Sequence, residues 1–138
     1  METTTATTKN NVQVVQQGFN EFLKGNIAGI LTLCTEDVKW GTYKVPNAPF
    51  TGSFSGKEGV QQYFYQTSQT VQFTSFQPKE YIADGNRVMV LGHNSGTVKA
   101  TGKSFDVGWC CSFLLSEGKI AEFFFFTDSY DTYKNFRD

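Results

Sequence analysis

The segment Ser104–Asp128, SFDVGWCCSFLLSEGKIAEFFFFTD, decides the fold of this chain. Two apolar runs flank Ser116-Glu117-Gly118-Lys119, where the Gly supplies the positive φ of a tight turn. The stretch therefore predicts an antiparallel β-hairpin, with arms of roughly ten residues against a usual five or six. Four consecutive phenylalanines, Phe123–Phe126, predict a strand covered on both faces. Asp128 stands two residues beyond this run and is the first carboxylate to inspect for chemistry.

Upstream of this hairpin the pattern changes twice. From Asn10 or Asn11, either a candidate N-cap, apolar residues recur at Val12, Val15, Phe19 and Phe22, which predicts a helix over 11–24. Gly25-Asn26 ends it, and Ile27, Ile30, Leu31 and Leu33 predict a shorter helix stopping near Cys34. A strand follows at Val38–Tyr43, then a turn-rich loop containing Pro46, Pro49 and Gly52. Ser55 and Glu58 match a capping box, so a third helix is expected from Gly56. From Val71 the period becomes two, predicting strands at 71–82 and 86–100 joined at Asp84-Gly85. A last helical turn is expected at Tyr130–Phe136. Helices followed by a four-strand meander predict an α+β domain over 11–138, with three helices on one face of a curved, mostly antiparallel sheet.

Composition excludes several classes of function. The chain has 138 residues, a formal net charge of −1 and scattered Lys and Arg, so it lacks the basic footprint of a nucleic-acid partner. No run has the length of a membrane span, and METTTATTKNN lacks the basic and apolar regions of a secretory signal; residues 1–10 read as a disordered tail. Cys34, Cys110 and Cys111 make an odd count with an adjacent pair, which suits reduced thiols in the cytoplasm better than disulfides. With His93 as the sole histidine, no metal site or cofactor is expected.

Taken together, the two N-terminal helices, Thr35-Glu36-Asp37-Val38, the Phe54–Val60 segment, Val88–Gly92, Thr101-Gly102-Lys103, Glu117–Ile120 and Asp128–Thr132 resemble the SnoaL-like branch of the nuclear transport factor 2 superfamily. The resemblance covers residues 11–136. It implies a cone-shaped α+β barrel, a pocket between helices and sheet for a small hydrophobic molecule, and commonly a homodimer. It names no single reaction, because the fold hosts isomerases, dehydratases, epoxide hydrolases, cyclases and non-catalytic proteins.

Alternation places Val88, Val90, Gly92, Asn94, Gly96 and Val98 inward, with the two glycines leaving ligand space beside Asn94. The same need for space favours Cys110 and Ser112 as the inward set of the next strand. By resemblance, Asn94 lies on the strand where limonene epoxide hydrolase carries an Arg and an Asp. Cys110 falls where ketosteroid isomerases keep their oxyanion-hole Asp, and Thr42 where they keep the base. Trp40, Phe19, Phe22, Tyr63 and Phe126 are expected as ligand contacts or pocket wall. With those isomerase groups absent, the resemblance leaves a cyclase-like reaction in which Asp128 is the general acid/base and Asn94 assists, or a binding module without catalysis. Asp128 also reads as the N-cap of the last helical turn. The facing of Cys110 and Ser112 turns Trp109, Phe113, Phe123 and Phe125 outward, predicting a homodimer packed sheet to sheet.

Overall fold

A computed structural model describes residues 2–137. Helix α1 spans Glu2–Leu23, α2 Ile27–Thr32, α3 Gly56–Thr70 and α4 Ser129–Asn135. The strands are β1 (Cys34–Thr42), β2 (Gly52–Ser55), β3 (Val71–Asp84), β4 (Arg87–Val98), β5 (Ser104–Ser116) and β6 (Lys119–Phe126). They form one sheet in the order β2-β1-β6-β5-β4-β3, antiparallel except where β1 runs parallel to β6. This is the expected α+β cone, a curved and unclosed sheet with helices on its concave face. At the β5–β6 turn Glu117 and Gly118 both take positive φ, 49° and 79°. That pair of conformations matches the right-handed twist of the two arms.

Four local expectations need correction. Helix α1 continues through residues 2–10, the stretch expected to be a disordered tail; Met1 lies outside the described residues. Asn11 is a buried helix residue rather than a cap. Its Nδ2 donates to the Gly85 carbonyl at 3.0 Å, while Gly85 N donates to Thr8 Oγ1 at 2.9 Å, so polar side chains dock the helix on the β3–β4 turn. Helix α3 does begin at Gly56, but Ser55 makes no side-chain capping bond. The turn-rich loop also contains β2, whose Phe54 pairs with Trp40 of β1.

The largest correction concerns β5. Strand β4 presents Val88, Val90, Asn94 and Val98 to the interior as alternation predicts. Its register then pairs Val90 with Cys111, Gly92 with Trp109, Asn94 with Val107 and Gly96 with Phe105. Directly opposed residues share a face of a sheet, so Phe105, Val107, Trp109, Cys111, Phe113 and Leu115 face inward. Cys110 and Ser112 consequently lie on the outer face. The glycines do make space, but two aromatic rings fill it. A Cβ on Gly92 would stand 2.3 Å from Trp109 Cζ2, and one on Gly96 would stand 2.8 Å from Phe105 Cζ.

The patch expected to join two copies is therefore interior. Trp109, Phe113 and Phe123 are buried in the core, with Phe125 packed against them. Trp109 stacks on Phe19 of α1 at 5.9 Å and on Phe76 of β3 at 5.1 Å. The outward phenylalanines are Phe124 and Phe126, which group with Tyr43 at centroid distances of 4.9 and 6.0 Å. Strand β6 is thus densely covered on one face only, and Phe126 remains 37 % exposed.

Candidate functional site

Between the helices and the concave face lies a cavity of about 130 Å³. Its wall is rich in aromatic rings, because each flanking element contributes from its inward stripe. Helix α1 supplies Phe19 and Phe22, α3 supplies Tyr63 and Phe64, β3 supplies Phe73 and Phe76, and β6 supplies Phe123 and Phe125. Tight ring contacts fix this wall, including Trp40 on Phe123 at 4.2 Å and Phe22 on Phe76 at 4.9 Å. Such edge and offset contacts hold aromatic side chains in defined rotamers, so the shape is largely preformed.

Few polar atoms break the wall. Thr42 lines the cavity, but its hydroxyl donates to the Phe125 carbonyl at 2.7 Å and so ties β1 to β6. Thr67 likewise donates back to the Tyr63 carbonyl at 2.8 Å. Burial pushes the Tyr63 hydroxyl well above the usual phenol range, which keeps it protonated at neutral pH. Trp40 and Asn94 differ from these residues. Trp40 Nε1 and Asn94 Oδ1 are buried without a hydrogen-bond partner, on side chains only 6 % and 4 % exposed. A buried polar atom left unpaired costs about 1–3 kcal/mol, so two of them lining one cavity need an explanation.

Of the residues singled out in the sequence, Asn94, Trp40, Thr42, Phe19, Phe22 and Tyr63 converge on this cavity. Cys110, Ser112 and Phe126 do not. Ser112 accepts from Arg87 Nη1 at 2.9 Å across the outer face, and Cys110 sits opposite Phe126 on that face. Nor does Asp128 line the cavity. Its Oδ1 accepts from the Asp131 backbone N–H at 3.0 Å, which makes it the N-cap of α4. The capped helix instead brings Asp131 to the wall, with Ser129, Thr132 and Asn135. Sequence reasoning missed Asp131, although its place three residues after a cap was a usable signal. Phe136, expected in the last turn, packs on Phe50 at 5.5 Å and closes the same end.

The thiols are poor nucleophiles. Burial raises Cys34 to about 11, despite Lys57 and Lys119, and pushes Cys111 higher still. Both are protonated at neutral pH, and the thiolate is the reactive form. His93 Nε2 pairs with Asp106 Oδ1 at 2.5 Å on the outer face, away from the cavity. Among the described residues no three His, Cys, Asp or Glu side chains group as a metal site, and no helix is long and apolar enough to cross a membrane.

Comparison with known proteins agrees with this architecture. The model of the SnoaL-like domain matches residues 15–123. No curated protein matches the chain. A nuclear transport factor 2-like protein from Burkholderia xenovorans LB400 superposes with a TM-score of 0.85 at 25 % identity, covering 94 % of this chain and 98 % of that one. Another, of unknown function, from Burkholderia pseudomallei K96243 gives 0.83 at 20 %, with coverage of 94 % and 98 %. TerC, co-crystallized with polyporic acid, gives 0.82 at 19 %, covering 94 % and 99 %.

Proposed function

The chain belongs to the SnoaL-like domain family, and on that premise we propose that it holds a small, largely apolar molecule in the aromatic cavity, with Trp40 and Asn94 bonding its polar group. The carrying observation is the pair of buried atoms, one a donor and one an acceptor, that the protein leaves unpartnered. A hydroxyl suits such a pair, since it both accepts and donates. That TerC, of the same fold, was co-crystallized with polyporic acid supports a small organic ligand here. An acid/base reaction centred on Asp128 draws no support from the geometry, because that carboxylate is engaged with the backbone of α4. The three free cysteines suit a reducing compartment such as the cytoplasm.

Asn94→Leu tests the reading through two opposed effects. Removing the unpaired acceptor should leave the free protein at least as stable as wild type in thermal melts. It should also weaken binding of N-phenyl-1-naphthylamine, followed by fluorescence, by about fivefold, the equivalent of roughly 1 kcal/mol. A variant that melts lower and binds equally well would remove Asn94 from the site.

Assembly as a homodimer would use the outer face as it stands in the structure. Tyr43 and Leu91, 60 % and 38 % exposed, extend the Phe126 surface. Sedimentation velocity should then report a dimer at micromolar concentration and a monomer for Phe126→Glu; a monomeric wild type would reject that interface.

A further inference from the structure

We propose that Asp131 determines ligand specificity by accepting a hydrogen bond from a second hydroxyl, so that the cavity selects aromatic molecules that carry two hydroxyl groups. The inference rests on the proposed binding role of the cavity and adds a second polar contact to it. Asp131 is the acidic residue among those lining the cavity, and it is half-buried there. Two contacts hold it. Asp128 Oδ1 accepts from its backbone N–H at 3.0 Å, and Asn135 Nδ2 donates to Asp131 Oδ2 at 3.0 Å. The other carboxylate oxygen, Oδ1, has no partner among the described residues.

Nearby cations do not neutralise it. Lys103 Nζ donates to the backbone carbonyls of Lys134 and Arg137 at 3.1 and 2.6 Å. Lys134 lies over the Tyr130 ring and Arg137 over the Tyr133 ring, each at 5.3 Å. A carboxylate held at the polar part of an otherwise apolar cavity, with no ion pair among the described residues, suits a neutral donor from a ligand, and bonds to charged acceptors are the stronger kind. The second requirement comes from Asn94, 4 % exposed, whose unpartnered Oδ1 is another acceptor on the same cavity. Two acceptors on one aromatic-rich cavity, one from β4 and one from α4, match a molecule that carries two donors. Asp128 is then a positioning residue, since it acts through the helix turn that carries Asp131.

The experiment compares 2,6-dihydroxynaphthalene with 6-methoxy-2-naphthol by isothermal titration of the full-length protein and of Asp131→Ala, Asp131→Asn and Asn94→Leu. Wild type should prefer the diol by about tenfold, the size of one charge-assisted hydrogen bond. Asp131→Ala should bring the two affinities within about twofold, and Asp131→Asn should retain part of the preference, because an amide oxygen accepts less strongly than a carboxylate. Unchanged affinity for the methoxy compound in the Asp131 variants would show that the cavity itself is intact. Equal binding of both probes by wild type, or a preference that survives in Asp131→Ala, overturns the role of Asp131 and leaves the cavity as a binding site. So does a preference that is lost in Asn94→Leu alone. Failure of wild type to bind either probe overturns the binding role of the cavity and this inference with it.

Discussion

The two faces of the sheet are built from alternate residues of the same strands, yet they resolve their polar groups in opposite ways. On the outer face polar side chains find each other: Arg87 with Ser112 at 2.9 Å, Thr74 with Ser95 at 2.9 Å, His93 with Asp106 at 2.5 Å. On the inner face almost every side chain is aromatic or aliphatic, and Trp40, Asn94 and Trp109 each keep a buried polar atom without a partner. Water can satisfy an outer group at any moment, whereas an inner one depends on what the cavity admits. Of the three unpaired inner residues, Trp40 and Asn94 line the cavity and so support the proposed ligand site, whereas Trp109 belongs to the core. Adjacent residues show the contrast most sharply, since Cys111 is fully buried while its neighbour Cys110 is half-exposed.

Exchanging the roles of Trp109 and Cys110 gives the largest expected effect. Trp109 contacts Phe19, Phe76 and Phe125, and is 5 % exposed. Trp109→Ala should cost about 3–5 kcal/mol in chemical denaturation, the range for truncating a core aromatic. Cys110→Ala, one residue away on the outer face, should stay within about 0.5 kcal/mol. Equal losses at both positions would mean that β5 sits in the opposite register.

A smaller effect is expected at Gly92, where the protein makes room for the indole. An added methyl would meet Trp109 Cζ2 at 2.3 Å and the Gln77 carbonyl at 2.6 Å, and the backbone cannot swing aside as a flexible side chain can. Gly92→Ala should therefore destabilise by about 1–3 kcal/mol through overpacking. Gly108, on the outer face of the neighbouring strand, has nothing nearer than 3.8 Å, so Gly108→Ala is the matched control and should cost far less. A difference near zero would place Trp109 away from Gly92.

These positions also show what the sequence made legible. Period-two alternation in β4 was sufficient to place Asn94 inside, because Val88, Val90 and Val98 share its parity. The expected facing of β5 failed because it was chosen for the space a pocket requires rather than from pairing. Thr97 stands opposite Ser104, which carries the inward even-numbered residues of β4 onto odd-numbered residues of β5. The wholly apolar set Phe105 to Leu115 belonged inside by burial alone. Small residues on a strand signalled room for a neighbouring ring, a cross-strand fact that no single strand's pattern contains. The place of Asp131 on the cavity was hidden for a related reason. Asp128 was legible as the cap of the last helical turn, but only the direction of α4 decides that Asp131 reaches the wall.

That division between two neighbouring aspartates sets the smallest predicted effect. Asp128 is exposed, and its carboxylate satisfies the Asp131 N–H while its carbonyl accepts from the Thr132 N–H at 3.1 Å. Replacing a capping Asp with Ala costs about 1 kcal/mol of helix stability, and replacing it with Asn costs almost nothing, because the amide oxygen caps as well. Helix α4 contains no buried residue, so much of that cost should appear as local fraying rather than as a lower global melting temperature. Hydrogen exchange should show faster exchange of the Asp131 amide in Asp128→Ala, and a rate near wild type in Asp128→Asn. The diol preference of the cavity should follow the same order, since a frayed first turn no longer holds the Asp131 carboxylate on the wall. If Asp128→Asn instead removed ligand binding while the Asp131 amide stayed protected, Asp128 would contact the ligand directly and the assigned roles of the two aspartates would have to be exchanged.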